Sequence, residues 1–257
     1  MGDRVPPWAQ ADPPSRGSGS KGDRVLTARE AVVGFISATL VAVLTVISQM
    51  AIDDRREDEA DRRENLRFIR EQAADGKADK VSFRGIDLTG QNLSGLDLRH
   101  GDLEGAILKD ADLTGTDLRN ANLHGADLRS TTMKLTHLES AVLTDAMLQR
   151  ANLLDVTMDG AVFDGADMRK SSWSFFNAGQ VSLFETDLSD AEIAGVDMTH
   201  ATIHETKLLG ADLRGAQLPQ EANFSRYFLS ACFDEDTRWP PGYRTQAIIK
   251  GSCDYSG

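Results

Sequence analysis

Residues 111–130 read ADLTG TDLRN ANLHG ADLRS, with a leucine at every fifth position: Leu113, Leu118, Leu123 and Leu128. Neither regular backbone has this period, since a helix returns a side chain to one face about every 3.6 residues and a strand about every 2. Stepping by five reaches back to Phe83 and forward to Leu218, giving 28 units with no insertion or deletion. Only Ala178 among the unit centres is not a large apolar residue. Two residues before the centre the chain prefers something small, as at Ala106, Ala111, Ala121 and Ala126. The residue just before the centre is usually polar, often Asp or Asn, and glycine is common two residues after it. No proline falls between Val81 and Leu218.

Two inward positions in five describe a short extended side followed by a corner. Glycine at the corner suits a turn that needs positive φ. Four such sides would close a square coil of about 20 residues, with coils stacked about 4.8 Å apart like paired strands. Period alone does not choose that closure over others. On the square-coil reading, 28 units make seven coils and a shaft about 34 Å long.

The units ADLTG, ANLHG, ADLRS and ADLRG resemble the pentapeptide-repeat family. The resemblance covers about residues 81–220 and implies an all-β solenoid, a right-handed quadrilateral β-helix. ACFDEDTRWPPGY, at 231–243, is similar to segments that close such solenoids. The family has no shared active site, so the resemblance implies a fold and no activity.

The rest of the chain divides clearly. Residues 1–30 carry Pro6, Pro7, Pro13, Pro14 and a Gly/Ser run, the composition of a disordered tail. Residues 31–52, AVVGFISATLVAVLTVISQMAI, hold no charge over 22 positions. At about 1.5 Å per residue that run spans a hydrocarbon core of about 30 Å, so a single-pass transmembrane helix is expected. Residues 53–76 are strong helix formers with Asp58–Arg62 and Glu59–Arg63 at i,i+4, a charged linker helix that stops near Gly76. Leu66, Ile69 and Ala73 share one narrow face, expected to cover the open edge of the first coil. A coiled coil pairing two copies is the competing use of that face, and a homodimer stays open. Residues 221–257 supply a second cap, with Phe224, Phe228, Phe233, Trp239 and Tyr243 as its lid. Arg16, Lys21, Arg24 and Arg29 precede the apolar run, against six arginines close after it, from Arg55 to Arg70. That balance puts the solenoid on the cytoplasmic side of the cell membrane. Cys232 and Cys253 would stay thiols there and would pair only in an oxidising compartment.

No motif or spacing carries a reaction. The histidines 100, 124, 137, 200 and 204 are too dispersed over the coils to meet at one metal ion. Carboxylates stack at the 20-residue period: Asp97 with Asp117, Asp167 with Asp187, Glu192 with Asp212. They sit on flat outward faces with no cleft to exclude water, so no catalytic residue and no cofactor is expected. Phosphate-loop, nucleophile-elbow and dinucleotide fingerprints are absent from the sequence. A scaffold for an unidentified protein partner is the expected role, without direct nucleic-acid binding.

The second reading rests on charge. Residues 81–220 hold 21 acidic against 11 basic side chains, net −10. The resemblance implies that such an acidic rod could imitate duplex DNA and occupy a type II topoisomerase such as gyrase. The solenoid lacks the projecting loop that role often uses, and Arg99–Arg119 and Lys109–Arg129 interrupt its acidic faces. One stretch breaks the pattern: KSSWSFFNAGQ, 170–180, puts Phe176 in a small slot, Ala178 in a large one and Phe175 at a position that normally faces solvent. Trp173, Phe175 and Phe176 are the expected contact patch, with a local bulge that tucks Phe175 inward as the competing reading.

Overall fold

The corners carry the architecture. The computed structural model describes residues 28–218 and 231–242, with side chains from 43 onward. At most corners the N–H three residues after a unit centre donates to the carbonyl of that centre, as from Ile86 to Phe83 (3.2 Å), Gln91 to Leu88 (3.0 Å) and Ala121 to Leu118 (3.0 Å). The third residue of each such turn has positive φ, for example Gly85 at 63° and Gly125 at 62°. That is the geometry of a type II turn. Glycine is expected there, yet among the described residues fourteen that are not glycine also take positive φ, including Asp110, Asn120, Arg150, Lys170 and Phe175. Asn and Asp tolerate this region, whereas Arg, Lys and Phe pay about 1–2 kcal/mol for it. The ladder on either side of the corner supplies the difference.

Sides pair in parallel with sides twenty residues on: Ser82↔Asp102, Asp97↔Asp117, Asn122↔Val142 and Asp187↔Lys207. One face develops full strands, β1 (Thr132–Lys134), β2 (Asn152–Leu154), β3 (Ser172–Ser174), β4 (Glu192–Asp197) and β5 (Asp212–Gln217), in the order β1-β2-β3-β4-β5. This regular sheet makes four coil-to-coil steps, fewer than the seven coils counted from the repeats. Elsewhere coils meet through isolated bridges, because a side has room for little more than one pairing between corners.

The shaft is filled as the period requires. Centres from Phe83 to Leu218 are buried, as are the small-slot alanines such as Ala106, Ala121 and Ala151. Five buried threonines occupy small slots; Thr131 Oγ1 donates to Leu128 O at 2.8 Å, and the other four hydroxyls each donate to a turn carbonyl of the preceding coil. They are Thr116 to Leu93, Thr136 to Leu113, Thr186 to Phe163 and Thr206 to Leu183, at 2.7–2.9 Å. A buried hydroxyl thus satisfies itself and a corner at once.

Before the solenoid, α1 runs Ala28–Ala74. Among the described residues no helix is long and apolar enough to cross a membrane. The expected span, 31–52, lies in its first part (31–42) on side chains outside the described residues. The later part of α1 covers the first coil: Ile69 and Ala73 are buried, Leu66 packs against the core, and Phe68 meets Phe83 edge-on at 5.9 Å. The edge carbonyls are satisfied as well, since Asn65 Nδ2 donates to Asp87 O (2.9 Å) and Arg70 Nη2 to Asn92 O (2.8 Å). Arg62 holds the Asp87 carboxylate at 3.0 Å. An open β edge is thereby closed. At the other end Cys232 and Arg238 bridge to Lys207 and Asp212, so residues 231–242 add a last layer outside the five-residue register. Phe233 and Trp239 pack edge-on at 5.4 Å there, and Cys232 is disulfide-bonded. The expected tail residues 1–27, and Phe224, Phe228, Tyr243 and Cys253 of the cap, lie outside the described residues.

Candidate interaction faces

With the centre and the small residue turned inward, each side shows solvent the residue before the centre and the one after it. Where these are Asp and Arg the pair closes on itself. Arg99, Arg119, Arg129, Arg169 and Arg214 each fork onto the aspartate two residues earlier through Nε and Nη2, at 2.5–2.9 Å. Bidentate geometry of this kind is the strong form of a carboxylate–guanidinium contact. The forks hold the Asp97, Asp117 and Asp127 carboxyls below the usual range. Asp212, gripped by Arg214 and approached by Arg238, is lowered to about 2. At Asp167 burial pushes upward, but the Arg169 fork and Gln149 outweigh it.

The three carboxylate stacks do form: Asp97↔Asp117 and Asp167↔Asp187 are bridge partners, and Glu192↔Asp212 are in register across β4 and β5. Four of the six carboxylates in them, those of Asp97, Asp117, Asp167 and Asp212, are the aspartates that the forks neutralise. Of the six, only Asp187 and Glu192 have no arginine two residues on in sequence to fork onto them. Among the described residues no group of His, Cys, Asp and Glu is arranged to hold a metal ion. His204 instead stacks on Phe184 at 5.5 Å, and His137 Nδ1 shares a hydrogen bond with Thr157 Oγ1 at 2.9 Å.

The expected aromatic patch needs correction. Trp173 is wholly buried as a shaft centre, with Nε1 donating to Ser171 Oγ at 2.8 Å. Phe176 is buried too, stacked on Trp173 at 5.7 Å, while Ala178 takes the large slot. The exchange of volumes conserves the core, which packing tolerates best. Phe175 alone faces out, 69% exposed at φ 59°. Its ring lies across the next coil, where Cδ1 would stand 3.1 Å from a Cβ on Gly195. Two corners below it on the same column, Leu135 is 50% exposed at φ 56°. Sequence reading missed Leu135, although its signal was present: an apolar residue at a corner position. Between these two lie the corner Asp155, exposed, and the outward residues of β1–β3, Thr132, Lys134, Asn152, Leu154, Ser172 and Ser174, with two opposite charges among the seven. The β1–β3 part of the sheet face is therefore sparsely charged and partly apolar, while β4 and β5 add Glu192, Asp212 and Arg214.

The Pentapeptide repeats family model matches residues 79–110, 102–134, 136–172 and 182–218, in eight copies. This chain belongs to the pentapeptide repeat family. The matched segments leave out residue 135 and residues 173–181, where the exposed apolar corners fall. A comparison with curated proteins found no match. Among solved structures the chain is similar to HetL, a pentapeptide repeat protein involved in heterocyst differentiation regulation from the cyanobacterium Nostoc sp. strain PCC 7120. The two share 23% identity over 58% of this chain and 88% of that one, with a TM-score of 0.29. It is also similar to QnrB1, a plasmid-mediated fluoroquinolone resistance protein, at 13% identity over 56% and 94% of the two chains, with a TM-score of 0.32. A pentapeptide repeat protein of the Arabidopsis thaliana thylakoid lumen is 33% identical over 34% of this chain and 63% of its own, with a TM-score of 0.21.

Proposed function

We propose that this chain is a non-enzymatic, membrane-tethered scaffold whose solenoid offers its sheet face to a protein partner. The observation that carries the reading is Phe175, a large aromatic held outward at a strained corner beside the sparsely charged strands β1–β3. Strain kept at an exposed position points to use rather than packing. The tether rests on the charge-free run 31–52 and on the exposure of Val43, Leu44, Val46, Ile47 and Met50 along α1. Such a stretch is costly in water and fits a lipid environment. The balance of arginines keeps the cytoplasmic side as the expected location of the solenoid, and the disulfide at Cys232 weighs against it.

A photo-crosslinking residue placed at 175 in the full-length chain tests the docking face. It should yield a discrete adduct that the same residue at 119, on a fork-bearing face, does not. Equal adducts from both positions, or none from 175, would remove the sheet face as the docking surface. The tether is tested separately: full-length protein should stay with membranes through carbonate extraction, and release into the supernatant would exclude it.

The second reading, an acidic DNA mimic that binds gyrase, draws on the net charge of −10 over 81–220. It draws also on the groove lined by Asp187, Asp190, Glu192, Asp212, Asp234 and Asp236. The forks weigh against it, because they replace a regular row of anions by paired charges.

A further inference from the structure

We propose that the solenoid carries a binding site for a compact oligophosphate, in a basic groove on the face centred on Leu108, Leu128, Leu148 and Met168. The groove, about 470 Å³, gathers Lys109, Arg129, Arg150, Arg169 and Lys170. Those are five of the 11 basic residues in a segment of net charge −10, drawn onto one face. Three of them are partnered by acids of the same face, Lys109 by Asp110 (3.9 Å) and Arg129 and Arg169 by Asp127 and Asp167, so Arg150 and Lys170 are the cations left wholly to a ligand.

The stacking of the backbone fixes their spacing. Ser130 N–H donates to Gln149 O, Arg150 N–H to Arg169 O, and Lys170 N–H to Ser189 O, at 2.9–3.1 Å. Arg150 and Lys170 therefore occupy successive corners, roughly 4.8 Å apart, and Arg129 and Arg169 flank them two coils apart. Both Arg150 and Lys170 are exposed, and neither makes an ion pair among the described residues. The forks of Arg129 and Arg169 onto Asp127 and Asp167 engage Nε and Nη2, which leaves Nη1 of each for a ligand. Gln149 lines the groove as a neutral neighbour of these cations, with its Nε2 donating to Asp167 Oδ2 at 2.5 Å.

The ends of the corner column set the size of the ligand. The column runs Asp110, Ser130, Arg150, Lys170, Asp190, so a carboxylate closes it on both sides. A long polyanion would have to cross those aspartates, whereas two or three linked phosphates fit between them. Neighbouring phosphates on one chain would meet Arg150 and Lys170 together, which a single phosphate could not do as well.

The test uses full-length protein in nonionic detergent, titrated by calorimetry with inorganic tripolyphosphate, inorganic phosphate and a single-stranded oligonucleotide. Tripolyphosphate should bind at least about tenfold more tightly than phosphate. Arg150→Gln with Lys170→Gln should weaken that binding at least about tenfold. The single variant Gln149→Glu, which puts a carboxylate among the cations, should weaken it as well. Lys134→Gln with Arg119→Gln, on other faces, should leave it unchanged. Unfolding curves of each variant separate lost binding from lost folding. No binding of tripolyphosphate, or equal loss in the control pair, would overturn the site. Tighter binding of the oligonucleotide than of tripolyphosphate would overturn its assignment to a compact ligand.

Discussion

Asn122 and Leu123 are adjacent, yet the repeat sends one to a face and the other into the shaft, so substituting each gives losses of different physical kinds. Leu123 is wholly buried, and Leu123→Ala should cost about 2–5 kcal/mol, because stacked coils on both sides cannot collapse onto the cavity. Asn122→Asp reads as silent from sequence, since Asp fills many equivalent positions such as Asp112 and Asp127. The structure says otherwise. Asn122 Nδ2 donates to Asp102 Oδ1 at 3.2 Å and to Glu104 Oε2 at 3.3 Å. Arg84 already serves both carboxylates, at 2.6 and 2.8 Å. A third carboxylate would lose two donor contacts, about 0.5–1.5 kcal/mol each, while His124 N–H keeps its acceptor. It would add repulsion of about 1 kcal/mol at water-like screening. These groups are partly exposed, so the total should be about 2 kcal/mol at low salt. Urea unfolding of residues 55–257, followed by far-UV circular dichroism, separates the two. Raising salt from about 0.01 M to about 1 M shortens the screening length from about 30 Å to about 3 Å. It should restore the repulsive part of the Asn122→Asp loss, about 1 kcal/mol, and none of the Leu123→Ala loss. If Asn122→Asp stays silent at low salt while Leu123→Ala costs under about 1 kcal/mol, the assignment of inside and outside is wrong.

Other substitutions reach other parts of the fold. Gly195→Ala should cost about 1 kcal/mol or more, because φ is 66° and the new Cβ would press on the Phe175 ring at 3.1 Å; pairing it with Phe175→Ala should recover the clash but not the backbone strain, as thermal unfolding will report. Acid should destabilise the rod: Asp212 is lowered from 3.8 to about 2, so its contribution is complete above about pH 4 and lost as pH falls through about 2. Asp97, Asp117 and Asp127 move in the same direction, and Arg214→Gln should flatten the fall that Asp212 contributes in melting curves taken across that range. Purified solenoid should leave gyrase supercoiling unaffected; potent inhibition, relieved by reversing Asp187 and Glu192, would instead favour the DNA-mimic reading.

How far the sequence speaks depends on what each position must satisfy. A shaft centre has one requirement, to be apolar and large, so twenty-eight centres announce themselves at fixed spacing and the fold can be read from them. The cap face of Leu66, Ile69 and Ala73 is legible for the same reason, since its neighbours on the helix are charged. Outward positions satisfy no common rule, and there the reading falters. Trp173 and Phe176 read as surface beside Phe175 because three aromatics in four residues look like a patch. The register does show Phe176 in a small slot and Ala178 in a large one, but only three-dimensional packing shows that Phe176 stacks on buried Trp173 and leaves Phe175 alone facing out. The stacked carboxylates were legible as stacks, but not as neutral ones. That required the side-chain geometry of forks closing over two residues, which a period of twenty does not reveal.

The corners join these two halves. Positive φ is demanded at nearly every fifth residue by the turn, whatever stands there, and glycine would answer that demand most cheaply. Gly85, Gly90, Gly95, Gly105, Gly115 and Gly125 do so in the first coils, and the outer surface there is built from small corners. From residue 130 onward the corner columns fill with side chains at a conformational cost: Leu135 and Phe175 on the sheet face, Arg150 and Lys170 on the basic one. Each such residue forgoes about 1 kcal/mol that glycine would have retained. None of these four makes an ion pair among the described residues, and none is buried, so the backbone ladder around each corner offsets the cost without help from the side chain. Glu185 and Glu205 carry the same positive φ on a further column, so strain by itself marks no corner as a contact. What singles out the two proposed columns is the chemistry they present, an aromatic ring beside sparsely charged strands and two cations one coil apart, unpaired among the described residues, and the crosslinking and calorimetry tests would separate these from the other corners.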